Sequence, residues 1–355
     1  MENRLARLRA VMSQRDIDAV LITCEVNQSW VSGFDFTDGY ILVCRENAYL
    51  ITDPRYIEAA KKTAGLDFEC VCAPSDVSEM ISGYLSDNFA KTLGIEDMEL
   101  SYHRACALKG ALDGVEIVWL GTLFDDLRAV KDADEAEKIK QAQRITDAAF
   151  SHILGYIKEG VSEVDIAIEL EFFMRRMGAD GPSFEFIVAS GSASSMPHAQ
   201  PRKTLLERGF LTIDMGCVYR GYCSDMTRTV VLGSADREMK KLYNTVLDAQ
   251  RAALDFITEG VRCADADRAA RDITEREYPM LFSHSLGHGV GRLIHESPRL
   301  SARAGDKRLS RGHVVTVEPG IYIEGRYGCR IEDMVIIGDG CAENITKSTK
   351  ELIEL

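Results

Sequence analysis

Within LTIDMGCVYRGYCSDMTRT, residues 211–229, Asp214 directly follows the apolar run Leu211-Thr212-Ile213, and a second carboxylate, Asp225, comes eleven residues later. Opposed residues of a hairpin have numbers that add to a constant. A turn centred on Tyr219-Arg220, with Gly221 beside it, therefore sets Asp214 opposite Asp225. Their Cβ atoms then lie about 5 Å apart on one face. Two like charges that close and half buried repel unless one takes a proton or a cation sits between them. Taken singly, Asp214 reads equally well as a strand-end acid bonded to backbone, and Asp225 as a turn acid.

The same arithmetic recurs in VVTVEPGIYIEGRYGCRIEDMVII. Glu318 follows Val314-Val315-Thr316-Val317, Glu332 precedes Met334-Val335-Ile336-Ile337, and Gly325 lies at the midpoint of a hairpin; a longer loop through Gly328 again lets the two acids face each other. Two hairpins that each bring acids together among strongly apolar neighbours ask for cations. The nitrogen donor is sought in HSLGHGVGRLIHESPR. His284 and His288 are four apart, yet Gly287, Gly289 and Gly291 favour a loop or strand edge whose backbone approaches something closely. A lone histidine reads first as a hydrogen-bonded packing residue. The glycines lack the full GxGxxG pattern and a following Lys-Ser/Thr, so they signal a phosphate cradle only weakly. Four carboxylates and one imidazole suit two divalent ions of intermediate hardness, such as manganese, cobalt or zinc.

The elements that must position these groups fall into two parts. RLARLRAVM reads as a helix, DAVLIT as a strand, YILVC and AYLIT as a pair of strands and YIEAAKKTA as a helix, which makes the first part an α/β domain. From about residue 125 a charged stretch leads into a long amphipathic helix, with Asp132 or Asp134 as its cap. We place the boundary near residues 125–133, giving domains 1–127 and 128–355. The second part opens with helices to about Met177, crosses the small-residue loop ASGSASSMPH, and turns rich in strands, with a further helix over 236–257. A chain of 355 residues has apolar content for two real cores. Its net charge of −14 argues against a nucleic-acid or anionic-membrane partner. The N-terminus lacks the apolar run of a signal peptide, and no segment is apolar for the length of a bilayer, so a cytoplasmic protein is expected. The ten scattered cysteines read as reduced thiols.

Taken in order, IDMGCVYRGYCSDMTRT, HSLGHGVG followed by IHE, TVEPGIY and RIED resemble the proline-specific metallopeptidases of the pita-bread fold, aminopeptidase P and prolidase, with methionine aminopeptidase and creatinase as relatives. NQSWVSGF and LITDPRYIEAA look like the creatinase-type N-terminal domain. The resemblance therefore implies an α/β creatinase-like domain followed by an α+β pita-bread catalytic domain. It implies that Asp214, Asp225, His288, Glu318 and Glu332 bind two divalent metal ions per subunit, manganese first and cobalt or zinc as alternatives, with Asp225 and Glu332 bridging. It assigns the proton of a metal-bridging water to Glu318 and places His198, His284 and His295 in the substrate cleft as catalytic and substrate-binding groups. His295 would donate to the scissile carbonyl or the tetrahedral intermediate.

Arg330 and Tyr322 occupy positions like those of groups that hold the carboxylates and histidines, and are counted with the substrate-binding set. Arg299 in HESPR resembles an arginine that binds a dipeptide's carboxylate in some prolidases. Arg292, where relatives commonly have an apolar residue, departs from the pattern, and an effect on the cleft's rim or on specificity is expected from it. The implied partners are short proline-containing peptides and a second copy of the chain, and the implied reaction is hydrolysis of Xaa-Pro bonds, with the preferred peptide length open. Two other readings are a methionine aminopeptidase-like enzyme and a non-catalytic pita-bread module that binds peptides or proteins. SGSAS supplies no GxSxG elbow, so a serine hydrolase is not supported.

Overall fold

The computed structural model describes residues 4–74 and 77–355 and divides into two compact units, Met1–Arg128 and Ala129–Leu355. In the first, the strands β1 (Ala19–Ile22), β2 (Gly39–Cys44), β3 (Ala48–Thr52), β4 (Glu69–Cys72), β5 (Thr92–Ile95) and β6 (Glu116–Trp119) form a sheet in the order β4-β3-β2-β1-β5-β6. β1 pairs antiparallel with β2 and parallel with β5, so it lies at the centre. Its sequence AVLI has no polar face because both faces are covered. Val20 and Ile22 pack on one side with Leu8, Met12 and Trp30, while Ala19 and Leu21 pack on the other with Ile81 and Leu85.

The second unit begins with helix Ala133–Leu154. Asp132, rather than Asp134, is its cap: the Asp132 carboxylate accepts from Glu135 N at 2.8 Å and the Glu135 carboxylate accepts from Asp132 N at 2.9 Å. Helix Glu163–Arg176 starts with a similar box at Ser162 and Asp165. These two helices cover a sheet formed by β8 (Ile187–Ser190), β9 (Gly209–Met215) and β12 (Met226–Leu232), through Ile145, Phe150, Ile166 and Leu170 against Val188, Ile213 and Val230. The short strands β7 (Gly181–Pro182), β10 (Cys217–Tyr219) and β11 (Tyr222–Cys223) form a second sheet. Within ASGSASSMPH, residues 191–195 wind into a single 3₁₀ turn.

Helices Arg237–Phe256 and Cys263–Glu277 cover the other half, a sheet in the order β14-β13-β15-β18-β19. Its strands are β13 (Gly287–Gly289), β14 (Glu296–Leu300), β15 (Val314–Val317), β18 (Asp333–Ile337) and β19 (Ala342–Asn344). The hairpin β16 (Gly320–Ile323) with β17 (Tyr327–Arg330) extends from β15 and β18. The first of these helices matches the expected 236–257. The second is an addition, because its buried stripe of Ala266, Ala270 and Thr274 is weakly apolar. All ten cysteines are free thiols, and among the described residues no helix is long and apolar enough to cross a membrane.

Candidate metal centre

The first acidic pair meets by a different register from the one expected. Arg220 and Gly221 both have positive φ, 49° and 74°, so the tight turn sits one residue later than Tyr219-Arg220 and pairs Tyr219 with Tyr222 and Val218 with Cys223. Asp214 therefore lies opposite Thr227, not opposite Asp225. Asp225 falls two residues further along, on the same face because side chains alternate, so the acids converge diagonally. The second pair keeps the expected sum. β15 pairs with β18 as Val317 with Asp333, and β16 pairs with β17 as Gly320 with Arg330, so Glu318 and Glu332 occupy facing positions in one continuous register. Gly325, at φ 69°, is in the turn, whereas Gly328 belongs to β17 instead of a longer loop.

At both acids the two strands part. Glu318 N donates to Leu286 O and Glu332 N donates to Thr227 O, which brings the β15–β18 sheet against β12 and the strand bearing the histidine. That strand is β13, and its glycines are required by close approach: a Cβ on Gly287 would strike Thr316 O, and one on Gly289 would strike Ser297 O. His288 is thereby fixed between them. Its Nδ1 donates to Gly289 O at 3.1 Å, which leaves the Nε2 lone pair 3.5 Å from Asp225 Oδ2 and 3.4 Å from Glu318 Oε1.

A lone pair facing ionised carboxylates meets no donor unless a proton or a cation comes between them. Asp225, His288 and Glu332, all buried, offer ligand atoms that lie within 4.8 Å of one another. Asp214 Oδ1 is buried with no hydrogen-bond partner, while its Oδ2 accepts from Arg330 Nη2 at 2.7 Å. Burial and then the neighbouring Glu332, Asp214 and Glu318 push the Asp225 carboxyl well above the usual range. Burial likewise raises Glu332, helped by Glu318 and Asp214, and lifts Glu318 to about 8. Burial depresses His288 to about 3 and keeps it neutral, the form that binds metal. An unsatisfied acid oxygen, a neutral imidazole and mutually repelling carboxylates together fit divalent cations.

A supporting shell holds this set. Thr227 Oγ1 donates to Glu332 Oε2 at 2.8 Å, and Thr316 Oγ1 donates to Glu318 Oε1 at 3.3 Å. Arg330 donates to Asp214, to Thr227 Oγ1, to Pro197 O and to Tyr322 Oη. Tyr322, expected with the substrate-binding residues, does not line the cavity; it stands behind His284, its hydroxyl 3.0 Å from Nε2. The other nitrogen of His284 donates to Ser285 O at 2.9 Å, so a catalytic part for His284 has to act with both ring nitrogens engaged. Burial and then Arg330 depress it to about 3. Arg292 is not among the residues that line the cavity; its guanidinium lies 5.2 Å from the Tyr222 ring centroid.

The four acids and the imidazole open into a cavity of about 700 Å³ whose walls include His198, His295, Arg299 and Arg330. The His295 ring meets His288 edge-on, with centroids 4.4 Å apart. Arg299 makes no hydrogen bond or ion pair within the described residues. Sequence reasoning missed two groups that carry the histidine loop. Arg271, in helix Cys263–Glu277, donates to Phe282 O and His284 O and pairs with Asp267, whose Oδ1 accepts from Leu286 N. It also missed the wall formed by Phe184, Glu185 and Phe186. The Arg271 and Asp267 spacing of four on one helix face was the available signal.

Residues 137–339 match metallopeptidase family M24, and residues 4–130 match the creatinase/prolidase N-terminal domain. The chain belongs to metallopeptidase family M24. It is 36% identical to the Xaa-Pro dipeptidase of Pyrococcus furiosus, over 99% of this chain and 100% of the relative. Among solved structures it is similar to an Xaa-Pro dipeptidase from Bacillus anthracis, with a TM-score of 0.95, 41% identity and 99% of both chains covered. An X-Pro aminopeptidase from Thermotoga maritima gives a TM-score of 0.92 and 35% identity, covering 99% of this chain and 100% of the other. Each of these similarities extends over both units. The protein is thus a metallopeptidase with a creatinase-like N-terminal domain and a pita-bread catalytic domain, and its family implies divalent metal ions.

Proposed function

We propose that this M24 peptidase hydrolyses Xaa-Pro bonds, with two divalent ions held by Asp214, Asp225, His288, Glu318 and Glu332. The observation that carries the reading is the convergence of Asp225, His288 and Glu332 beside the unpartnered Asp214 Oδ1, in a cavity that also contains imidazole and guanidinium groups. No expected ligand is missing, which disfavours a binding module that has lost catalysis. The oxygen-rich set with one imidazole favours manganese, with cobalt or zinc as substitutes. When bound, such ions acidify water and polarise a carbonyl.

The chain's own residues do the rest. Glu318, with burial raising its carboxyl, holds and passes a proton at its carboxylate oxygens. His295 and His198 line the cavity as exposed imidazoles, placed to donate to the scissile carbonyl and to orient the peptide. Arg330 and Tyr322 position Asp214 and His284, and Arg330 also faces the cavity. A proline after the scissile bond removes an N–H and fixes the ring, so a closely walled cavity can select it.

Arg299, an unpaired cation in the cavity wall, suits the carboxylate of a dipeptide. The cavity's volume of about 700 Å³ leaves room for a longer chain, which favours aminopeptidase action as the second reading. Metal-free protein reloaded with manganese, cobalt or zinc should cleave Ala-Pro, with two metals bound per chain. Preference for Ala-Pro-Ala would make it an aminopeptidase. Failure to cleave either, with both metals bound, would overturn the Xaa-Pro reading.

A further inference from the structure

The segment Phe184-Glu185-Phe186, together with Pro201, lines two spaces at once, the central cavity and an adjoining groove of about 300 Å³. The groove's other walls are apolar, from Ala167, Ile168 and Pro182, with Ile168 62% exposed. Two carboxylates border it. Glu171 is already paired with Arg175 at 2.9 Å, whereas Glu185 is exposed and makes no hydrogen bond or ion pair within the described residues. Apart from the five-residue metal set, Glu185 is the acidic residue in the cavity wall. Phe184 stands beside it, its ring edge-on to Phe186 with centroids 6.4 Å apart.

Arg299 belongs to β14, in the sheet that carries His288. Glu185 lies two residues before Ile187, which pairs with Asp214 in the other sheet. A substrate whose carboxyl end meets Arg299 therefore extends its first residue towards Phe184 and Glu185. An apolar wall ending in an unpaired carboxylate beside an aromatic ring complements a long aliphatic stem with a cationic head.

Resting on the Xaa-Pro reading, we propose that this groove receives the side chain of the substrate's first residue and that Glu185 selects lysine or arginine there. The experiment compares kcat/KM for Lys-Pro, Met-Pro and Glu-Pro in manganese-loaded protein, with metal content checked in every sample. Methionine matches the length of the lysine stem without its charge. Lys-Pro should exceed Met-Pro by about fivefold at low ionic strength, and the ratio should shrink as salt is added. Glu185→Gln should bring the ratio towards one, and Glu185→Lys should turn the preference towards Glu-Pro. A wild-type ratio of one, or a ratio unchanged by Glu185→Gln, overturns the inference and leaves Xaa-Pro hydrolysis standing. No cleavage of any of the three overturns both.

Discussion

Each unit buries carboxylates, and they are treated in opposite ways. In the first unit Glu96 is 3% exposed and accepts from Thr23 N and Oγ1, Cys24 N and Asn27 Nδ2, at the start of the helix Glu25–Ser32. Donors and a helix N-terminus face it, although burial still outweighs them and raises its carboxyl above the usual range. In the second unit Asp225 and Glu332 are equally buried, yet Asp225 faces an imidazole lone pair and Glu332 has one hydroxyl donor. Next to Glu332, Asp333 is fully buried as well. Burial pushes its carboxyl up, but Arg228 and Lys350 outweigh that and hold it below the usual range. Burial of an acid therefore says little about function. What separates a structural acid from one awaiting a cation is whether donors already surround it.

The sharpest way to break this comparison is to remove one acid from each class. Asp225→Ala or Glu332→Ala should lose bound metal and peptidase activity together, lowering kcat/KM by about a thousandfold or more; a metal-free variant that retains activity would contradict the assignment. Glu96→Ala should do the reverse. It strands four donors and should cost about 3 kcal/mol of stability in thermal or urea unfolding, with metal content per folded chain unchanged. Intermediate in size, Arg330→Lys or Thr227→Val leaves the ligands present but unsupported, and should weaken metal affinity by about 10- to 100-fold in a chelator titration.

The smallest effect concerns pH and the metal-free protein. Carboxyls raised in the folded state, with Glu318 near 8, bind more protons folded than unfolded, so their contribution is present below about 4.5 and is lost as pH rises through 8. His284 and His288, depressed to about 3, contribute stability above 6.5 that is lost as pH falls towards 3. The two oppose one another between about pH 5 and 6.5, where Tm of the metal-free protein should vary least; above 6.5 the histidine contribution is complete, and Tm should fall as pH rises towards 8. Cations replace the protons on the acids, so the Tm gain on adding manganese should grow as pH rises from about 5 to about 8. A gain that shrinks with rising pH would contradict this account.

Much of the centre was legible in the sequence because strand pairing obeys arithmetic. The sum that placed Glu318 opposite Glu332 holds through both β15–β18 and β16–β17, since Gly325 supplies the left-handed turn that the pairing needs. The sum for Asp214 and Asp225 failed by one step because Arg220, a residue that seldom takes positive φ, shares the turn with Gly221. The glycines around His288 were readable as close approach, though not what they approach. Helix Cys263–Glu277 escaped notice because alanine and threonine make a faint stripe, and with it went Asp267 and Arg271, which hold the histidine loop.

The sequence by itself determined the acids, the imidazole and the strands that carry them, because hydrophobic alternation and turn chemistry act over a few residues. Only the tertiary structure decided which groups stand next to which: Arg330 on Asp214 across 116 positions, Thr227 on Glu332 across 105, and His284 with both nitrogens already bonded. Desolvation and charge depend on neighbours brought from distant parts of the chain, and no local pattern records them.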